Sequence, residues 1–342
     1  MTPRPWFVFA LLLLAAGCGG ETSSSPEGAP EAPAEPVTIG YQGMINPWKA
    51  QLRSGSFEEA TGRPIEWRKF NSGSEVITAM ASGDVDVAVA GSSPIATALS
   101  QGLDLRLVWI MDAIDTAEAL VARADTGVAD VPGLVGKKVG VPLASTTHYH
   151  LLFALERAGV APKDLSILNL QPDAIAASWQ QGQIDAAFVW SPVLDTLRAD
   201  GTTLVTSGEL AAAGRPTFDG LVVRGAFAEA NRGFVDALVK GIADADAAWR
   251  DGGSAWTAES PEVQAIASLS GAPADGVTTV LKQYRYLPPA EQATAAWLSG
   301  EDPGAGKALA DTAAFLVEQG KVPRVLPDYD RFVEDRHAVA AR

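Results

Sequence analysis

Two short segments have the composition of anion-binding turns. Gly91-Ser92-Ser93-Pro94 follows the buried apolar run Val85–Ala90 and opens a helical stretch. Serine is favoured at a helix N-cap and proline at the first helical position. The free N–H groups and the dipole of such a helix face the end of the preceding strand, where an anion can sit. Ser145-Thr146-Thr147-His148 follows a strand-like run ending at Pro142 and precedes a helical stretch from Tyr149. Alone, either segment is an ordinary cap. Together, at equivalent strand ends, they form a clamp for a tetrahedral oxyanion. Each helix end contributes about 0.3–2 kcal/mol to a bound anion, and charge-assisted hydrogen bonds add to that.

Two carboxylates are placed for a different task. Glu118 precedes Ala119-Leu120-Val121, and Asp219 precedes Gly220-Leu221-Val222-Val223. Both fall where the chain is expected to cross between lobes, so either can pair with a ligand ammonium. A solvated face is the plainer role for each. Tyr41 and Trp190 close strands and can stack on a cation or an alkyl chain; a core role serves them equally. Catalytic patterns are thin. The histidines are His148, His150 and His337, and His148 and His150 do not share a helix face. There is no zinc spacing, P-loop, dinucleotide fingerprint or Gly-x-Ser-x-Gly elbow. No metal, cofactor or catalytic residue is expected.

The elements that must hold these residues alternate β and α. Val37–Tyr41, Ile65–Phe70, Val85–Ala90, Leu105–Met111 and Glu118–Arg123 are strand-like, with a helix at Glu75–Ser82 ending on Gly83. Then the pattern restarts: strand Lys137–Pro142, helix Tyr149–Ala158, strand Leu165–Asn169, helix Ala174–Gln181, strand Ile184–Val189. Gly83, Asp86 and Ala88 recur 99 residues on as Gly182, Asp185 and Ala187, and Ser93-Pro94 recurs as Ser191-Pro192. A duplicated lobe accounts for this order. After a strand at Leu221–Arg224 come helices at Asn231–Arg250, Pro261–Leu269, Asp275–Lys282, Pro289–Leu298 and Lys307–Gln319. The expectation is α/β lobes with largely parallel sheets and a ligand cleft beyond the strands' carboxyl ends. Lobe 1 takes residues 37–122 and 220–342, and lobe 2 takes 123–219.

The amino terminus supplies an address. Arg4 precedes an eleven-residue apolar run, Trp6–Ala16, the length of a signal-peptide core and short of a membrane span. Ala15-Ala16-Gly17-Cys18 suits lipoprotein signal peptidase, although Ala15 stands where Leu is usual. Cys18 is the one cysteine of the chain, so no internal disulfide is available to it. Residues 1–17 are expected to be a leader, Cys18 a diacylglyceryl-bearing first residue, and 18–36 a flexible tether. The net charge of −15 argues against nucleic acid and against docking on anionic lipid.

The same residues carry a family resemblance. The chain resembles the taurine-binding branch of the aliphatic sulfonate-binding periplasmic proteins of bacterial ABC transporters. Matching stretches include Glu66–Phe70, Ala81–Val85, Gly91–Pro94, Glu118–Val121 and Ser145–Tyr149. Others are Asn169–Pro172, Ile184-Asp185 with Val189-Trp190, Leu269–Gly271 and Glu318–Pro323. Ser145–Tyr149 combined with Asn169–Pro172 points to the taurine branch. The resemblance implies a type II periplasmic-binding-protein fold, two Rossmann-like lobes closing on a ligand, and a monomer delivering that ligand to a permease and its ATPase. It implies sulfonate contacts from Ser92, Ser93, Ser145, Thr146, Thr147 and His148, amine contacts from Glu118 and Asp219, and further contacts from Tyr41, Gln42 and Trp190. After Gln42 the family usually has small hydroxyl residues; here stand Gly43-Met44-Ile45-Asn46. An alkanesulfonate or other small anion without an amine is the alternative ligand. An enzyme related to thiamine-pyrimidine synthases would need a cysteine-rich iron site, and a sensor would need a following membrane helix.

Overall fold

The computed structural model describes residues 35–342. The expected leader, Cys18 and the tether through residue 34 lie outside them. The strands are β1 Val37–Gln42, β2 Ile65–Phe70, β3 Val87–Gly91, β4 Leu105–Ile114, β5 Glu118–Arg123, β6 Lys138–Val141, β7 Ser166–Asn169, β8 Ala186–Trp190, β9 Gly201–Thr206, β10 Phe218–Arg224 and β11 Tyr284–Arg285. They form two sheets, in the orders β11-β4-β10-β3-β1-β2 and β7-β6-β8-β5-β9.

The duplication visible in the sequence is a duplication of these sheets. β2-β1-β3-β10-β4 in one lobe matches β7-β6-β8-β5-β9 in the other. The central strands β3 (VAVAG) and β8 (AAFVW) are buried along their whole length, which is why they read as unbroken apolar runs. The repeated aspartates make the same contact twice. Asp86 Oδ2 accepts from the Thr38 N–H at 3.4 Å, and Asp185 Oδ2 accepts from the Lys138 N–H at 2.7 Å. Each lashes the entry of a central strand to its parallel neighbour. Gly83 and Gly182 both follow a helix with positive φ, at 88° and 66°, where a side chain would be strained.

Several expectations need correction. The sheets are mixed rather than largely parallel: β10 is antiparallel to β3 and β4, and β5 is antiparallel to β8 and β9. The lobe boundary at residue 122 is also displaced. β5 follows β4 after three residues and resembles its hairpin partner, yet it pairs in the second sheet. β10 makes the reciprocal move, leaving β9 to insert between β3 and β4 of the first sheet. The crossings therefore lie at residues 115–117 and 207–217, and each sheet is completed by a strand from the other side. The helix expected over Pro289–Leu298 covers Pro289–Gln292 alone. Its Gln292 side chain instead bonds the Ile110 backbone, accepting from N–H at 2.8 Å and donating to C=O at 2.9 Å.

Candidate functional site

The strand exchange brings the two acids together. Glu118 begins β5 opposite Trp190, the last residue of β8. Asp219 lies at the start of β10 opposite Gly91, the last residue of β3. The acids thus occupy equivalent positions of the duplicated unit, each beside the carboxyl end of its central strand. Both face a cavity of about 260 Å³ lined by Gln42, Met44, Gly73, Gly91, Pro94, Glu118, Ser145, Thr146, Trp190 and Asp219.

Three helices begin at this cavity. Ser92–Ser100 starts directly after Gly91, and no side chain caps it. The sequence suggested a serine cap with proline first in the helix; instead Gly91 is the cap and Pro94 the third residue. All three first-turn positions are natural for groups whose N–H has no intrahelical partner. Thr146–Arg157 is capped by Ser145, whose Oγ accepts from the His148 N–H at 3.1 Å. Gly73–Ser82 is capped by Ser72, with Glu75 reaching back to the Asn71 N–H at 3.0 Å. The start expected at Glu75 lies at Gly73; the Ser72-x-x-Glu75 spacing is the sequence signal that could have placed it there.

The expected site residues divide. Gln42, Glu118, Ser145, Thr146, Trp190 and Asp219 line the cavity. The side chains of Tyr41, Ser92, Ser93, Thr147 and His148 do not. Tyr41 packs edge-on against Trp48 in the lobe core. Ser92 Oγ accepts from the Phe218 N–H at 3.4 Å, and Ser93 Oγ is buried without a partner. Thr147 Oγ1 bonds Ser145 Oγ at 2.7 Å. His148 Nδ1 accepts from the Ala144 N–H at 3.3 Å, and burial, with help from Lys321, pushes its pKa down to about 4. At a helix start the first turn, not the residue type, decides which side chains point out.

The electrostatics are those of a cavity short of positive charge. Desolvation raises Glu118 to about 8; Asp219 pushes the same way, against a hydrogen bond donated by Thr146 Oγ1 at 2.5 Å. Burial also drives Asp219 well above the usual carboxylate range, reinforced by Asp112, its cross-strand partner on β4. Asp112 is raised likewise by burial and by Asp246, and it accepts from Asn46 Nδ2 at 2.8 Å.

Lys49 is a cation close enough to act on Asp219 and Asp112. It is fully buried, and desolvation depresses its pKa strongly. Its Nζ donates to the backbone oxygens of Met44 and, at 2.6 Å, Gln42, so it is spent on the turn that follows β1. Lys49→Met is expected to leave both carbonyls unpaired and to cost about 1–3 kcal/mol. A urea melt with an unchanged slope and an unchanged midpoint would count against that role.

Beyond Trp190 lies a second chamber of about 410 Å³ lined by Gly43, Lys69, Phe70, Asn71, Pro172, Asp173, Trp190, Pro192, Val193 and Ser270. Trp190 borders both chambers. The lobes touch at the inner one: a methyl added to Gly91 would sit 2.7 Å from Thr146 Cγ2.

The model of the NMT1-like family matches residues 31–262. The chain belongs to the NMT1-like family. Within it, this NMT1-like chain is 39% identical over 306 residues to the taurine-binding periplasmic protein of Escherichia coli K12, covering 90% of this chain and 93% of that one. It is 28% identical to a putative aliphatic sulfonates-binding protein of the same strain, covering 74% of this chain and 77% of the other. Among solved structures, an alkanesulfonate-binding protein from Xanthomonas axonopodis pv. citri with bound MOPS superposes with a TM-score of 0.71 at 22% identity, over 90% of this chain and 99% of that one. That likeness establishes the shared fold of two α/β lobes and an interlobe cleft.

Proposed function

We propose that this chain is the substrate-binding component of an ABC importer, taking taurine or a close aminosulfonate into the cleft and delivering it to the permease. It is a binding protein, not an enzyme. The observation that carries the ligand reading is the pairing of opposite features on one small cavity. An uncapped helix start offers N–H groups to an anion. Glu118 and Asp219, one from each sheet, are buried there, neither in an ion pair among the described residues; Lys49, which acts on Asp219, gives its hydrogens to Gln42 and Met44. A zwitterion with its two charges a short chain apart answers both. The similarity to the taurine-binding protein of Escherichia coli supports the same choice.

Calorimetry on residues 35–342 tests it. Micromolar binding of taurine corresponds to about −8 kcal/mol; no heat at millimolar taurine sinks the reading. One observation favours the amine-free alternative: Met44 puts a thioether on the wall. Ethanesulfonate binding as tightly as taurine would decide for it.

The location belongs to the same proposal. The exported protein is held on the outer face of a membrane through acylated Cys18 and works as a monomer. Cys18→Ala is expected to move it from the membrane fraction to the soluble one.

A further inference from the structure

Behind Glu118 runs a chain of polar groups with no part in contacting a ligand. Glu118 Oε2 is 2.9 Å from Ser207 Oγ, Ser207 Oγ is 2.7 Å from His150 Nδ1, and His150 Nε2 is 2.8 Å from the Arg215 carbonyl oxygen. Ser207 and His150 are fully buried, away from the cavity wall.

Counting hydrogens along this chain leaves little freedom. A carbonyl oxygen only accepts, so His150 Nε2 carries a hydrogen. A neutral imidazole has no second one, so Nδ1 presents a lone pair and takes the single hydroxyl hydrogen of Ser207. Ser207 then offers Glu118 Oε2 only a lone pair. That contact is a hydrogen bond when Oε2 carries a proton. At Oε1 the Thr146 hydroxyl donates, which suits the carbonyl oxygen of a neutral acid. The other arrangement, imidazolium with carboxylate, holds the same number of protons. Either way the chain contains one proton more than a free carboxylate and a neutral histidine.

We infer that Ser207 and His150 are positioning residues that keep one proton on Glu118 in the empty cleft, and that a ligand ammonium expels it. This rests on the amine-binding reading above. On binding, the Glu118 Oε2–H bond breaks, the proton leaves to solvent, and the carboxylate pairs with the ammonium. Burial favours the proton on the acid: it lowers His150 to about 4 and raises Glu118 to about 8. A hydrogen bond from Ser207 would lower Glu118 only with its hydroxyl donating to a carboxylate, the arrangement that the His150 Nδ1 lone pair denies it; the charged neighbours favour the proton. Asp219 on β10 repels a charge on Glu118, and Asp112 on β4 and Tyr284 on β11 add no cation. Lys49 acts on Asp219 and Asp112. Arg215 meets His150 through its carbonyl.

Three measurements on the unaltered protein and two variants test this. In the empty protein, nitrogen NMR of labelled histidine is expected to show His150 neutral with its hydrogen on Nε2. Infrared spectra are expected to show a protonated carboxyl band that Glu118→Gln removes. An imidazolium, the Nδ1–H tautomer, or no such band overturns the inference even if taurine never binds. With taurine, calorimetry in buffers of different ionisation heat is expected to find about one proton released at pH 7. Affinity should then rise tenfold per pH unit up to about 8 and level off. Binding without release, or with His150 becoming charged, also overturns it. His150→Phe frees the Ser207 hydrogen for a carboxylate, so release at pH 7 should fall by most of one proton; unchanged release in a folded variant contradicts the assignment.

Discussion

Glu118→Gln is expected to weaken taurine binding by roughly 30- to 700-fold, from the loss of about 2–4 kcal/mol when a desolvated ion pair loses one member. The substitution is nearly isosteric. A glutamine oxygen can accept from Thr146 and its NH₂ can donate to Ser207, matching a protonated acid atom for atom. The empty protein should therefore melt where the parent does, while binding of ethanesulfonate should hold or improve. This combination separates a reader of the amine from a piece of scaffold. A drop in melting temperature with equal losses for both ligands would show that Glu118 serves the fold instead.

The second large effect is steric. Gly91→Ala puts a methyl 2.7 Å from Thr146 Cγ2 and 3.5 Å from Asp219 Oδ1. The first contact is short enough to force the lobes apart, and overpacking of this kind costs about 1–3 kcal/mol. The cost falls on the closed form alone, so it appears as an affinity loss of roughly 5- to 150-fold with little change in the stability of each lobe. Thr146→Ser removes the opposing methyl and keeps the hydroxyl that bonds Glu118. The double variant should recover most of the loss, and small-angle scattering should show Gly91→Ala more open than either the parent or the double variant. If the two substitutions simply add, the lobes do not meet at this point.

Much of the fold was legible because burial writes itself into the chain. β3 and β8 are buried on both faces, and each follows a helix closed by glycine, so their apolar runs stood out. β9 did not: Gly201–Thr206 is an edge strand with Thr202 and Thr203 exposed, and its one apolar pair, Leu204-Val205, is too short to mark a strand. The lobe boundary was misjudged because pairing partners are not encoded locally. Glu118–Arg123 looks the same whether it returns to β4 or crosses to β8. For the site, the acids and the helix starts were recognisable from residue type and position. Which hydroxyls reach the cavity was not, since Thr146 and Thr147 differ only in their angle around the first turn. Asp112, Asn46 and Lys49 went unnoticed for a related reason. Asn46 meets Asp112 across 66 residues of sequence, and Ser207 meets Glu118 across 89. Buried polar groups find partners through the tertiary fold, and single-chain patterns carry no trace of that.

The exchange of β5 and β10 also orders events in time. As the chain lengthens, β3 and β4 have no common neighbour until Phe218–Arg224 has appeared to lie between them. The second sheet, β5 to β9, is continuous in sequence and is complete by Thr206. The later-encoded lobe is thus the one able to fold first, and the earlier-encoded lobe must wait with β4 and one edge of β3 unpaired. A chain that cannot finish its first half early stays pliable for passage through a membrane pore, and its cleft comes into being only when both halves have arrived.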